Sequence, residues 1–229
     1  MTMRTARPAY SALILIVLLS LSPTALLAGP SAKAQSKQYT FTRDTFTDKI
    51  PAWTYLLREF KERPGINYLE IGAFEGRSAL WVLENILTHP TSKLTVIDAF
   101  RENNQKTFIS NINLSGQANK FEILEGLSTQ KLRELPFNSI DFAYVDGSGK
   151  GIVILSDLAS TWNLVKVGGL IIVSRYPLTG FLRKVLNLQP YDPGPYEAID
   201  AFVKLYSPYI SVVAFQQNYV VIRKTRSAE

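Results

Sequence analysis

The residues Glu70-Ile71-Gly72-Ala73-Phe74-Glu75-Gly76-Arg77-Ser78 follow a short apolar run and open an amphipathic one. Two glycines separated by three residues, between a strand and a helix, allow a tight turn and close approach of a ligand to backbone. The next apolar run ends in Val96-Ile97-Asp98, where an acid can accept both hydroxyls of a ribose. Taken singly, the glycines suit an ordinary strand-to-helix turn and Asp98 a helix cap. Their joint appearance at successive strand ends points instead to a nucleoside. A dinucleotide is disfavoured, because its fingerprint needs a glycine where Phe74 stands. Gly149-Lys150 is no phosphate loop either, since Tyr144 and Gly151 occupy positions that require Gly and Ser or Thr.

Composition narrows the chemistry further. The 229 residues include no cysteine and a single histidine, His89, which excludes disulfides, thiolate metal sites, thiol nucleophiles and any multi-histidine mechanism. The formal charge of +6, from 25 Lys+Arg and 19 Asp+Glu, invites a nucleic-acid reading. The distribution of charge weakens it. Arg4 and Arg7 precede an apolar stretch at 12–19, no charge occurs from Pro8 to Ala32, and small residues lead up to Ala34. A basic start, an apolar core and a small-residue exit describe a secretory signal over 1–34. The stretch 9–28 could alternatively serve as a membrane anchor. Loss of 1–34 removes Arg4, Arg7 and Lys33 and no acid, which halves the basic excess. Nucleic acid is therefore not expected as a partner, and membrane contact is expected only through this segment.

The elements that must position Gly72 and Asp98 are legible as alternating units. A polar linker at 35–45 is expected, then a helix over 46–62 stopped by Pro64-Gly65. Strands are expected at 67–71, 94–98, 121–124, 140–145, 170–173, 210–215 and 219–223. Helices are expected at 76–87, 104–113, 128–135, 152–164 and 196–206. Short apolar strands alternating with helices indicate an α/β fold, a mostly parallel sheet covered on both faces. The last two strands form an antiparallel hairpin around 216–218. In such a sheet ligands bind beyond the carboxyl ends of the strands. The long segment 177–196, with Phe181, Leu182, Tyr191 and Tyr196 among prolines, reads as a lid there.

A nucleoside without a diphosphate describes S-adenosylmethionine, and the motifs carry a resemblance that agrees. YLEIGAFEGRSALWVLENIL, LTVIDAF, FEILEGLS, IDFAYVDGS, DLASTWNLVKVGGLIIV and YEAIDAF resemble class I S-adenosylmethionine-dependent methyltransferases. More narrowly, they resemble the bacterial-type family reading LEIGxxEGxS, IDGSH and a late DDY, over roughly residues 46–224. The resemblance implies a Rossmann-like, three-layer domain at 46–229, its seven-stranded sheet mostly parallel with an antiparallel last strand. It implies that Glu70, Gly72 and Gly76 surround the methionine portion of the cofactor, that Ala73 and Ser78 also contact the cofactor, and that Asp98 holds the ribose. Gly126, Leu127 and Ser128 would lie by the adenine, and Asp146 near the sulfonium.

Two departures from the family pattern stand out. Gly149 replaces the histidine after Asp-Gly-Ser, and Ser174-Arg175-Tyr176 replaces the paired acids before the late tyrosine. With Asp146 alone remaining, no metal is expected, because magnesium and its relatives want several oxygen ligands. Arg175 is expected to pair with Asp146 and to supply a fixed positive charge in place of a cation, making these two the candidate catalytic residues. The acceptor is expected to be a small molecule or a glycan. The competing expectation is a cofactor-binding pseudoenzyme whose chemistry has been lost.

Overall fold

A computed structural model of the protein describes residues 38–101, 104–176, 194–216 and 218–228. The expected signal segment and most of the expected lid lie outside these residues. Seven strands form one sheet: β1 (Asn67–Ile71), β2 (Lys93–Asp98), β3 (Phe121–Glu125), β4 (Ile140–Val145), β5 (Val165–Ser174), β6 (Ile210–Gln216) and β7 (Tyr219–Lys224). Their order is β3-β2-β1-β4-β5-β7-β6. The first five run parallel, and β7 lies antiparallel between β5 and β6.

The strands are apolar throughout because both faces are covered, and the pleat sends alternate side chains to opposite sides. Tyr68, Phe142, Tyr144 and Ile172 face one layer, where they meet Trp53 and Leu57 of the α1 region, Ala79 and Val82, and Phe108. Those residues belong to or adjoin α1 (Ile50–Leu56), α2 (Arg77–Asn85) and α3 (Asn104–Ser115). Leu69, Ile71, Val145 and Val173 face the other layer. There they meet Leu158 and Trp162 of α5 (Gly151–Leu164) and Ile199 and Phe202 of α6 (Pro195–Tyr206). The short α4 (Ser128–Lys131) lies between β3 and β4 in the chain. Each such buried side chain contributes about 1.5–3 kcal/mol relative to exposure. Among the described residues no helix is long and apolar enough to cross a membrane.

Three elements differ from the sequence expectation. The helix expected over 46–62 is a 3-10 turn at Thr47–Lys49 followed by α1, which ends at Leu56. Beyond it Phe60 N–H bonds Leu57 O and Arg63 N–H bonds Phe60 O, so the chain tightens into turns that bury Leu57 and Phe60 together. The strand expected at 170–173 begins at Val165. Gly168 and Gly169 hide its first half from an apolar pattern, and they match an irregularity in the pairing with β4 between Ile140 and Phe142. The helix expected at 128–135 is α4 plus a 3-10 turn at Leu132–Glu134.

The stretch expected as a linker is fastened to the domain over its described part. Glu75, 2% exposed, accepts hydrogen bonds from Thr42 N–H (2.6 Å) and Thr42 Oγ1 (2.8 Å). Asn111 accepts from Thr40 N–H and donates to Thr40 O, at 3.0 and 2.8 Å. Tyr39 donates to Glu84 and Arg77 pairs with Asp44. Residues 38–46 are thus a strap drawn across α2 and α3.

Candidate active site

Register brings the chemistry to one edge. Ile71 pairs with Ile97 on one side and Val145 on the other, and Val145 pairs with Val173. The residues that follow are Gly72, Asp98, Asp146 and Ser174, so they share the carboxyl edge of adjacent strands. Gly72 sits at φ 85°, and a Cβ there would lie 2.5 Å from Gly147 Cα. Only glycine lets the turns after β1 and β4 touch. Phe74 is itself left-handed, at φ 53°, with its ring under Arg43 at 4.9 Å. Glycine would suit that backbone, yet this chain carries a bulky ring there.

Two clefts open on this edge. The larger, about 520 Å³, is bordered by Asp98, Gly126, Leu127, Ser128, Gly149 and Val153. The smaller, about 180 Å³, is bordered by Phe41, Arg43, Ala73, Arg77, Ser78 and Tyr144. Gly72, Phe74, Asp146 and Arg175 border both. The clefts meet at the Asp146 carboxylate.

Asp146 Oδ1 is 3.0 Å from Arg175 Nε, and its Oδ2 accepts the Tyr144 hydroxyl at 2.8 Å. Burial raises the Asp146 pKa; Arg175 and then Tyr144 oppose that rise by favouring the charged form. The expected pairing of Arg175 with Asp146 is therefore present in the geometry. Arg175 adopts φ 66°, an uncommon conformation for a residue with a side chain, and half of its side chain remains exposed. Asp98 accepts Phe74 N–H at 2.9 Å and Phe100 N–H at 2.8 Å, one on each oxygen. It thereby ties the glycine turn to the turn after β2.

Glu70 and Gly76, both expected beside the ligand, border neither cleft. Glu70 is fully buried beneath Ser78, whose hydroxyl donates to it, and it accepts a second bond from Tyr68 at 2.8 Å. Burial pushes its carboxyl up to about 8. The alternation of β1 explains the placement, because Glu70 shares the Tyr68 face and points into a core layer. A Cβ on Gly76 would lie 2.9 Å from the Phe108 ring, so this glycine serves packing of α2 on α3. Ala73 and Ser78 border the smaller cleft, and Gly126, Leu127 and Ser128 the larger. Sequence reasoning missed Phe41, Arg43 and Thr45, which reach the smaller cleft from the strap. Two aromatic rings, Tyr39 and Phe41, in an otherwise polar stretch were the signal available for it. His89 bonds Thr91 at 2.9 Å, in the turn that precedes β2, at the opposite edge of the sheet.

Residues 69–174 match the family model described as "Methyltransferase domain". This stretch, which runs from β1 to β5, is similar to a methyltransferase domain. The fold of the chain is that of the class I, S-adenosylmethionine-dependent methyltransferases. A Klebsiella pneumoniae protein assigned to the O-methyltransferases superposes with TM-score 0.66 at 18% identity, covering 81% of this chain and 83% of that one. The Bacillus cereus O-methyltransferase in complex with S-adenosylhomocysteine gives 0.64 at 20% identity, covering 80% and 83%. The O-methyltransferase TomG from Streptomyces achromogenes, involved in tomaymycin synthesis and bound to S-adenosylmethionine, gives 0.63 at 20% identity, covering 77% and 80%. No curated protein matches the sequence. Asp146 lies just beyond β4 and Arg175 just beyond β5. Among the described residues no three His, Asp or Glu side chains converge as a metal site.

Proposed function

We propose that this chain binds S-adenosylmethionine and transfers its methyl group to an oxygen of a small molecule or glycan, without a metal ion. The observation that carries the reading is the Asp146–Arg175 pair at the junction of the two clefts. The bound cofactor would supply an electrophilic methyl group on a sulfonium with a neutral thioether as leaving group.

The residues suit that ligand. The ends of β3 and β4 are three strand positions apart, roughly 14 Å at ~4.8 Å per strand, which matches a nucleoside reaching from Ser128 to Asp146. Asp98 uses one lone pair on each oxygen for backbone N–H groups, and a second on each remains for a ribose hydroxyl. Gly72 keeps the space between these turns clear of any side chain. Arg43 stands at the smaller cleft, where a cofactor carboxylate would meet its charge.

Arg175 holds a fixed positive charge where an acceptor hydroxyl would approach the methyl group. Such a charge lowers the hydroxyl pKa and stabilises the oxyanion. Asp146 is the carboxylate within reach of the released proton, and burial makes it the stronger proton acceptor. Alignment of acceptor and methyl group can supply ~7–11 kcal/mol of the barrier lowering, so a strong base is not essential. The donor set suits a guanidinium better than a divalent cation. Ser174 and Arg175 stand where further acids would be needed, and Arg175 Nε already occupies one Asp146 oxygen.

A second reading, cofactor binding without transfer, is favoured by one observation. The single imidazole of the chain, His89, lies at the edge of the sheet away from the clefts. Calorimetric titration with S-adenosylmethionine tests both readings, and absence of binding would overturn both. Binding followed by methylation of a hydroxyl acceptor, insensitive to EDTA, supports transfer. Binding with no product in any extract supports the second reading. We infer further that residues 1–34 direct export as a cleaved signal, or hold the domain at a membrane through 9–28. Cleavage after Ala34 would leave the whole strap in place. Mass spectrometry of the native amino terminus distinguishes the two.

A further inference from the structure

Five cationic side chains border the two clefts, Arg43, Arg77, Arg101, Lys150 and Arg175, against two carboxylates, Asp98 and Asp146. Two of the five are paired, Arg77 with Asp44 and Arg175 with Asp146. Among the described residues no hydrogen bond or ion pair engages the side chain of Arg43, Arg101 or Lys150. The proposed function gives Arg43 to the cofactor carboxylate and Asp98 to its ribose. Arg101 and Lys150 are then left on the larger cleft without a counterion. S-adenosylmethionine brings a net positive charge of its own, so its binding enlarges the excess. Positive charge gathered along a cleft raises the local concentration of anions.

Arg175 shows where an anion would be held. Its Nε serves Asp146 Oδ1, and its remaining N–H groups make no hydrogen bond among the described residues. Nη1 is turned toward Gly149, 3.9 Å from the position a Cβ would take there, and Lys150 is the next residue. No side chain at 149 comes between the guanidinium edge and Lys150, and both border the larger cleft. A guanidinium presents parallel N–H donors that match the two oxygens of a carboxylate, and an ammonium adds a point charge. A neutral acceptor would strip water from these donors without replacing its hydrogen bonds in kind, which is unfavourable.

We propose that the acceptor is a hydroxy acid, sugar acids included, whose carboxylate is held by the unpaired edge of Arg175 and by Lys150 while its hydroxyl is the oxygen to be methylated. This rests on the proposed function and names the acceptor class for the same site. Lys150 is a specificity-determining residue in this arrangement. It touches the carboxylate and takes no part in the transfer itself.

The test is calorimetric titration of the full chain, saturated with S-adenosylhomocysteine, with 3,4-dihydroxybenzoate, mandelate and glucuronate, each against its amide. At least one acid is expected to bind roughly tenfold more tightly than its amide, the gain from a charge-assisted bidentate pair. The preference should shrink as salt rises from ~20 to ~200 mM, because Arg175 and Lys150 are exposed at the rim. Lys150→Gln should cut it about threefold. Lys204→Gln, the same loss of charge on α6 away from both clefts, should leave it intact. Equal losses in the two variants overturn the proposal, because the preference would then come from net charge and not from a site. No preference for the acid in any pair, by a chain that binds S-adenosylhomocysteine, overturns it too. Failure to bind S-adenosylhomocysteine overturns the proposed function itself, and this inference with it.

Discussion

Nη1 of Arg175 lies 3.9 Å from the point where Gly149 would carry a Cβ. A methyl group fits there in ordinary contact, but any longer side chain would start against the guanidinium. The two departures from the family pattern are therefore one spatial arrangement. Lack of a side chain at 149 leaves room for a cation at 175, and the cation in turn pairs with Asp146. Without Arg175 the mostly buried Asp146 would keep the Tyr144 hydroxyl but lose its ion-pair partner, which is unfavourable.

Arg175→Met keeps much of the stem and removes the charge. Turnover is expected to fall roughly 10²–10³-fold, as when one oxyanion donor is removed, while affinity for S-adenosylmethionine stays within about threefold. Arg175 favours the ionised form of Asp146, so the acidic limb of the pH–rate profile should move to higher pH in the variant. Single-turnover rates and calorimetry measure the two effects separately. Unchanged turnover would remove Arg175 from the mechanism.

Gly72→Ala places a Cβ against backbone at 2.5 Å in a left-handed conformation, so relief requires movement of the turn after β4. A loss of about 2–4 kcal/mol is expected from urea unfolding, with cofactor affinity falling in parallel. Gly149→Ala is the control. Its new methyl meets only Arg175 at ordinary distance, and stability should stay within about 0.5 kcal/mol.

Why some of this was legible and some was not follows from range. The strands announce themselves because their residues are buried on both faces, a property of each short segment alone. Asp146 and Arg175 could be paired in advance because β4 and β5 are neighbours and both residues lie just past strand ends. The role of Gly76 depended on Phe108, and that of Glu70 on Tyr68 and Ser78, contacts that a motif does not specify. The strap was least legible. Its polar residues have no period, and the groups that hold it, Glu75 and Asn111, are far along the chain from Thr42 and Thr40.

Glu70 gives the fold a pH dependence of definite sign. Burial raises its folded pKa to about 8 from 4.5. Between those values the native state holds a proton that the unfolded state has released, so stability falls as pH rises. Asp157 contributes the same sign only up to about 6, whereas Glu70 continues from 6 to 8. Burial also raises Asp146, which adds to the slope without changing its direction. Across pH 6–8 the Glu70 share is about 2–3 kcal/mol, from ~1.4 kcal/mol per pH unit. Glu70→Gln should flatten the curve in that window, measured by urea unfolding at each pH. An equally steep curve in the variant would mean that Glu70 is ionised at neutral pH.

Glu75 is one anchor of the strap, its two oxygens taking the Thr42 N–H and hydroxyl, and the strap brings Phe41, Arg43 and Thr45 to the smaller cleft. Glu75→Ala removes both bonds and leaves the Thr42 groups to water. Hydrogen bonds to a charged group contribute ~1.5–3 kcal/mol each, but the strap is partly solvated, so the net loss should sit near the lower figure. Because Phe46 keeps the end of the strap anchored in the core while Phe41, Arg43 and Thr45 line the cleft, the main effect should be local opening. Two measurements follow. Proteolysis at Arg43 is expected to accelerate about tenfold in Glu75→Ala, matching a loss near 1.4 kcal/mol in closure, and bound S-adenosylmethionine should restore protection if the strap closes over it. Affinity for the cofactor should fall by a similar factor. Faster cleavage with undiminished affinity would show that the strap is anchored by Glu75 but takes no part in binding.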